Sequence, residues 1–255
     1  MKYDELGERM KNYEREYRTS IPKADGFIVL RLDGKAFHSY TRGLERPFDV
    51  RLMSDMDATC AYLCANMSGV KFGYVQSDEI SLILPVSVSD EKRTELWYDG
   101  QVQKMVSVSA GMASAKLAQL RSDIDKLPVF DSRIFFLPNV DELMDYLRFR
   151  IYDAQKNSVT MAASTVRGHK ELMSVSTRGR KEILEAAGMP VESLPAGFVN
   201  GRVITREVYD TVVSYTRKDS GETFTTPATR SRWVSNPAPS MRGEVAVQAA
   251  LDLLG

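Results

Sequence analysis

Gly26-Phe27-Ile28-Val29-Leu30-Arg31-Leu32-Asp33-Gly34 is the stretch on which the reading of this 255-residue chain turns. Its β-branched, apolar run is short enough for a buried strand, and it stops at an Asp-Gly pair suited to a turn. Beyond it, Val50, Met53, Cys60, Leu63 and Met67 recur at helical spacing until Gly69 offers a stop. Lys71 to Gln76 and Ile80 to Val86 are strand-like, and the polar Ser77-Asp78-Glu79 between them reads as a tight hairpin. A second helical stripe follows in Val102, Met105, Val106, Ser109, Met112, Ala113, Leu117 and Leu120, and Val129 to Leu137 returns as a strand. The order strand, helix, strand, strand, helix, strand is that of a split βαβ or ferredoxin-type core. The expected fold class is therefore α+β, with a palm-like βαββαβ core.

Further elements flank this core. Asp4 to Tyr17 places Leu6, Met10, Tyr13 and Tyr17 at helical spacing, which predicts an amphipathic helix laid on the body. Asn139, with Glu142 three residues on, opens a long helix carrying Leu143, Leu147, Ile151, Ala154, Ser158, Met161 and Ala162. Past Thr165 the pattern becomes short and mixed. It suggests a helix near Lys181 to Ala187, a hairpin at Asn200-Gly201 and a further turn at Asp219-Ser220-Gly221, hence a small carboxyl-terminal β-hairpin region. The expected organisation is residues 1–138 as the palm-like core with its amino-terminal helix, and 139–255 as a long helix and basic region packed on the same core.

Composition narrows the function classes. With 43% hydrophobic and 27% charged residues the chain is of ordinary globular make-up, and its formal net charge of zero excludes a protein that grips nucleic acid by bulk charge. Any nucleic-acid site must be local. Between Arg148 and Arg232 there are 14 Lys/Arg against 9 Asp/Glu, with basic runs around Arg167, His169 and Lys170, around Arg178, Arg180 and Lys181, and around Arg230 and Arg232. Each run alone reads equally well as a solvated helix face. The two cysteines, Cys60 and Cys64, fall four apart on one helix face and read as core thiols. With two histidines and no further cysteine, no zinc cluster can be assembled. The amino terminus lacks the apolar core of a signal peptide and no run approaches membrane-spanning length, so no membrane partner and a cytoplasmic location are expected.

Topology then brings two acids together. In the split βαβ arrangement the first strand lies antiparallel beside the third, so the hairpin between the second and third strands sits where the first strand ends. Asp33 closes that strand and Asp78 occupies that hairpin. An Asp-Gly turn or a Ser-Asp-Glu tip is commonplace by itself; jointly, at one rim, they favour a site. Hard carboxylate oxygens suit Mg²⁺, and two such ions roughly 3.5–4 Å apart serve in-line displacement at phosphorus. Gly34, lacking a side chain, lets backbone approach an ion or phosphate closely.

Arg31-Leu32-Asp33-Gly34-Lys35-Ala36-Phe37-His38 and Tyr74-Val75-Gln76-Ser77-Asp78-Glu79-Ile80-Ser81 resemble the two signature stretches of the tRNA-His guanylyltransferase-like family of 3′–5′ RNA polymerases. Pro47-Phe48-Asp49, Phe130-Asp131-Ser132-Arg133-Ile134-Phe135 and the Arg150, Asp153, Asn157 spacing add to the likeness, which runs through most of the first 160 residues and fades afterwards. The resemblance implies a nucleotidyltransferase that adds nucleotides to the 5′ end of tRNA, with two Mg²⁺ ions, GTP or another nucleoside triphosphate, ATP to activate a 5′-monophosphate, and a homotetrameric assembly. Carried onto matching positions, it makes Asp33 and Asp78 the metal-binding catalytic pair, with Gly34 contributing its carbonyl. Lys35, Ala36, Phe37, His38 and Ser77 would lie along the nucleotide, and Asp49 would face its base. Glu79 would stand behind the metals, turned away from them by strand alternation. Arg133, Arg150, Asp153, Asn157 and Lys181 would meet RNA or the activating nucleotide.

The likeness has gaps. Where guanylyltransferases acting on tRNA-His carry His-Ile-Asn-Asn-Leu-Tyr-Asn, this chain reads Gln155-Lys156-Asn157-Ser158-Val159-Thr160-Met161, and the later Asn-Tyr-Asn element is missing. That favours the relatives that repair 5′-truncated tRNAs by templated addition. Two other readings compete. A nucleotidyl or diguanylate cyclase would share the paired aspartates but not the Gln76-Ser77-Asp78-Glu79 hairpin, and a non-catalytic RNA-binding module would have no use for them.

Overall fold

The structure, a computed structural model, describes residues 8, 10–13, 19–89, 91, 93–219, 221–239 and 252–253. Six strands form one sheet in the order β4-β1-β3-β2-β5-β6. They are β1 (Gly26–Gly34), β2 (Phe72–Gln76), β3 (Glu79–Val86), β4 (Phe130–Leu137), β5 (Arg202–Thr216) and β6 (Thr223–Pro237). The first four reproduce the expected split βαβ order, with β1 antiparallel to both β3 and β4.

Alternation along β1 supplies two cores. Ile28, Leu30 and Leu32 pack with Ile80, Leu82 and Val75 against α1 (Val50–Asn66) and α2 (Val102–Leu120), through Met56, Cys60, Leu63, Met105 and Leu117. Phe27 and Val29 face the other way, with Phe72, Tyr74 and Ile83, against Leu143, Leu147 and Ile151 of α3 (Val140–Val166). The sheet is thus covered on both sides, and each fully buried Leu or Ile contributes about 1.5–3 kcal/mol. Capping sets where the helices start. Asp49 accepts from the Leu52 N–H at 2.7 Å to open α1, and Asn139 accepts from the Glu142 N–H at 2.9 Å to open α3. A third cluster, Val159, Ala162, Ala163, Leu172 and Leu184, joins the end of α3 to α4 (Thr177–Ala186).

The carboxyl-terminal hairpin departs from expectation. Asn200-Gly201 is not its turn; these residues follow the helical turn Ala196–Val199 and lead into β5. The chain reverses after β5, where the Arg217 N–H donates to the Glu222 carbonyl at 3.0 Å, and the hairpin is not small, with two strands of 15 residues each. It also extends the main sheet, because Gly73, Tyr74 and Val75 of β2 pair with Ile204, Val203 and Arg202 of β5. The helix expected near Lys181 begins four residues earlier, at Thr177, where Ser176 caps it. Most of the amino-terminal stretch Asp4 to Tyr17 lies outside the described residues. Among the described residues no helix is long and apolar enough to cross a membrane.

Candidate active site

Register builds the site. At the end of β1, Asp33 stands opposite Glu79 of β3 on one side and Asp131 of β4 on the other, and Glu79 in turn stands opposite Gln76 of β2. Directly opposed residues project to the same face, so Gln76, Glu79, Asp33 and Asp131 form one polar rung across four strands, on the α3 side. The next rung inward is Tyr74, Ser81, Arg31 and Arg133. An acidic row is thereby set beside a row that supplies two guanidinium groups. Arg31 Nη2 lies 4.0 Å and Arg133 Nη2 3.6 Å from Asp33 Oδ2.

Asp78 joins the row from the turn. Ser77 and Asp78 form a two-residue connection between β2 and β3, with Ser77 in the left-handed region at φ 46°. The Gly34 N–H donates to the Asp78 carbonyl at 3.2 Å, tying the end of β1 to that turn. Burial pushes the Asp78 carboxyl above the ordinary carboxylate range. A backbone hydrogen bond pulls it back, the nearby Asp33 charge raises it, and Ser77 lowers it. The two aspartates are close enough to feel each other, as the topology requires. Gly34 is needed for packing as well, because a Cβ there would run into the Phe37 ring. That ring is held between Tyr40 and Phe130 at centroid distances of 4.9 and 5.1 Å.

Glu79 is not turned away from Asp33. The change of face expected from strand alternation does not separate them, since Asp78 lies in the turn and Glu79 is the residue paired with Asp33. Its carboxylate is buried. Arg150 Nη1 reaches it at 2.9 Å, Arg31 Nε at 3.4 Å and Gln76 Nε2 at 3.3 Å. Burial raises the Glu79 carboxyl, while Arg150, Arg31 and Gln76 pull it down. Arg150 is only 5% exposed and also lies 3.7 Å from Asp153, so it is a buried strut between α3 and β3, not a cation offered to an RNA phosphate.

A cleft of about 300 Å³ opens beside Asp78, walled by Phe37, His38, the segment 44–49, Ser77 and Met161. Lys35 and Ala36 are exposed on the turn that follows β1, and His38 is exposed on the short helix after it. Ala36 takes φ 55° to start the short helix Phe37–Tyr40. Asp49 lines this cleft, yet its carboxylate is engaged in backbone capping, Oδ1 with the Leu52 N–H and Oδ2 with the Glu45 N–H at 3.3 Å. Asn157 is exposed on α3 and lines a second, adjoining cleft. Lys181 is exposed on α4 and lines neither. Sequence reasoning passed over Arg31, Asp131 and Gln76, although the two-residue period of a strand and the antiparallel pairing place all three on the Asp33 face.

Two carboxylates at the rim of a split βαβ sheet, beside a cleft, define a candidate centre for transfer at phosphorus. Comparison with known proteins agrees. Residues 7–138 match the family described as tRNAHis guanylyltransferase. A bacterial tRNA(His) guanylyltransferase-like protein solved in complex with ATP is 32% identical, with a TM-score of 0.80 over 96% of this chain and 98% of that one. The corresponding GTP complex gives 31% identity and a TM-score of 0.75 over 97% and 96%. The tRNA(His) guanylyltransferase of Debaryomyces hansenii is 26% identical across 83% of this chain and 82% of its own length. The chain belongs to the tRNA-His guanylyltransferase family, an enzyme family of nucleotidyltransferases.

Proposed function

We propose that this enzyme adds nucleotides to the 5′ end of tRNA in the 3′–5′ direction, by templated repair or guanylylation, using Mg²⁺, a nucleoside triphosphate such as GTP, and ATP to activate a 5′-monophosphate. The observation that carries the reading is the meeting of Asp33 and Asp78 at the end of β1, joined through the Gly34–Asp78 backbone hydrogen bond. The donor set fits divalent cations. Burial and the nearby Asp33 charge make the Asp78 carboxyl costly to ionise without a cation, no cation among the described residues pairs with it, and the guanidinium groups approach Asp33 only loosely. Among the described residues no group of three or more His, Cys, Asp or Glu is placed to hold a metal ion, and the ligands proposed are the two aspartates and the Gly34 carbonyl. Magnesium bound there supplies charge stabilisation to the attacking and leaving oxygens of an in-line displacement.

The remaining tasks fall to the chain's own groups. The backbones carrying Asp33 and Asp78 are tied together, because one residue closes a strand and the other sits in the turn hydrogen-bonded to that strand's end. Lys35, His38 and Ser77 border the path of the triphosphate, where a cation and polar donors suit anionic oxygens. Arg133, half exposed beside Asp33, is placed to receive a 5′ phosphate of the RNA. Glu79, clamped by Arg150 and Arg31, keeps the acidic row rigid from below. A homotetramer is the assembly proposed with this activity.

Incubating the protein with a 5′-truncated tRNA transcript, radiolabelled nucleotides and Mg²⁺ tests the reading. Wild type is expected to extend the 5′ end, and Asp33→Ala and Asp78→Ala to lose about 100-fold or more while keeping their circular dichroism. Extension that survives either substitution rejects the assignment.

A further inference from the structure

Asp131, at the outer end of the acidic rung, has no task in the transfer chemistry. It stands directly opposite Asp33 in the β1–β4 register, so the two carboxylates share a face of the sheet, where like charges so opposed are unfavourable. Arg133, two residues further along β4 and therefore on the same face, serves both. Its Nε lies 3.4 Å from Asp131 Oδ1, and its Nη2 lies 3.6 Å from Asp33 Oδ2. One guanidinium thus offsets two carboxylates, with a different nitrogen turned to each.

The two ends of this bridge differ in what competes for them. Asp33 is the proposed ligand of a divalent cation and is also approached by Arg31 at 4.0 Å, whereas Asp131 sits on β4, at the edge of the sheet. A cation arriving at Asp33 needs the oxygen that Nη2 faces, so the arginine opposes it both by occupying that oxygen and by its charge. Asp131 gives the displaced arginine somewhere to stay. With Nε still held there, Nη1 and Nη2 are left as paired donors, the fork that matches two phosphate oxygens. Arg133 and Asp131 are both half exposed, so solvent screens their attraction and the guanidinium can change partners.

We propose that Asp131 is a positioning residue that draws Arg133 off Asp33, easing the entry of a divalent cation and keeping the guanidinium at the rim for a phosphate. The inference rests on the metal-dependent reading of the same site. Asp131 touches neither the cation nor the RNA and acts through Arg133.

Binding of Mn²⁺, which shares the preference of Mg²⁺ for oxygen ligands, is measured on the full chain without nucleotide or RNA, from the loss of the free-ion electron paramagnetic resonance signal. Wild type, Asp131→Asn, Arg133→Gln and the double variant form a cycle, with folding checked by circular dichroism. Arg133→Gln is expected to bind about fivefold more tightly than wild type and Asp131→Asn about fivefold more weakly, the upper end of what an exposed ion pair supplies. In the Arg133→Gln background the Asp131→Asn change costs at most about twofold, because only the screened field of the carboxylate remains. An equal loss in both backgrounds means that Asp131 acts by its own charge and overturns the proposal, and so does an Arg133→Gln protein that binds no more tightly than wild type. Asp33→Asn is the reference and is expected to lose the site. If wild type binds no Mn²⁺, or Asp33→Asn binds it equally well, the metal-dependent reading itself fails and the proposal falls with it.

Discussion

Glu79 and Arg150 show how much of this site is decided by single side chains. Both are nearly out of solvent, and the pair is shared with Arg31. Removing one partner of a buried ion pair strands the other charge, which costs about 3–5 kcal/mol, whereas replacing both by apolar groups of similar volume is often tolerated. Glu79→Ala is therefore expected to lower the free energy of urea unfolding by about 3–5 kcal/mol, and Glu79→Leu combined with Arg150→Met to recover a measurable part of that loss. Recovery of nothing would mean that the pair is held for reasons other than charge balance. The sequence already held the sign that Arg150 points inward. It lies three residues after Leu147 and four before Ala154, on the buried stripe of α3. Reading charge as exposure hid this. The aspartate pair was legible for the opposite reason: strand ends and hairpin tips are positions that topology alone brings together, whereas side-chain direction at the tip depends on where the turn begins.

At the scale of elements, the core was readable because its periods are clean. β1, β2 and β3 are largely apolar runs, β4 ends in Ile134-Phe135-Phe136-Leu137, and α1 and α2 carry well-spaced stripes. The misplaced hairpin has a definite cause. Asn-Gly is a strong turn signal, but Gly201 takes φ 79° for another purpose, since a Cβ there would enter the Tyr74 ring, whose hydroxyl donates to the Asn200 carbonyl at 2.9 Å. Gly221, in the true turn, has φ 72° with nothing near its missing Cβ. The two positions separate backbone strain from collision. Gly221→Ala should cost about 1–2 kcal/mol from the left-handed backbone alone, and Gly201→Ala should cost clearly more, read as two chemical-denaturation midpoints. Equal losses would show that Tyr74 moves aside freely. The strands of the hairpin escaped notice because most of their residues are exposed on both faces, so no apolar alternation marks them.

The molecule as a whole couples its stability to what it binds. The carboxylate pair exists only when β1 and the β2–β3 turn are assembled, so cations that bind it favour the folded chain. A ligand at one hundred times its dissociation constant adds about 2.7 kcal/mol. Saturating Mg²⁺ is thus expected to raise the thermal midpoint of wild type and to leave Asp33→Asn and Asp78→Asn unmoved, as followed by circular dichroism. An equal rise in all three would place the cation elsewhere.

The two halves of the site differ in how firmly they are anchored. Asp33 ends a strand whose residues Ile28, Val29, Leu30 and Leu32 are entirely buried, hydrogen-bonded to a neighbour on each side. The second cleft is closed instead by Phe198, carried on the four-residue turn Ala196–Val199, and by Met161, which is 40% exposed. Warming that loosens the molecule short of melting it will part those walls first. Whatever that cleft holds will then be released while the paired aspartates are still in place.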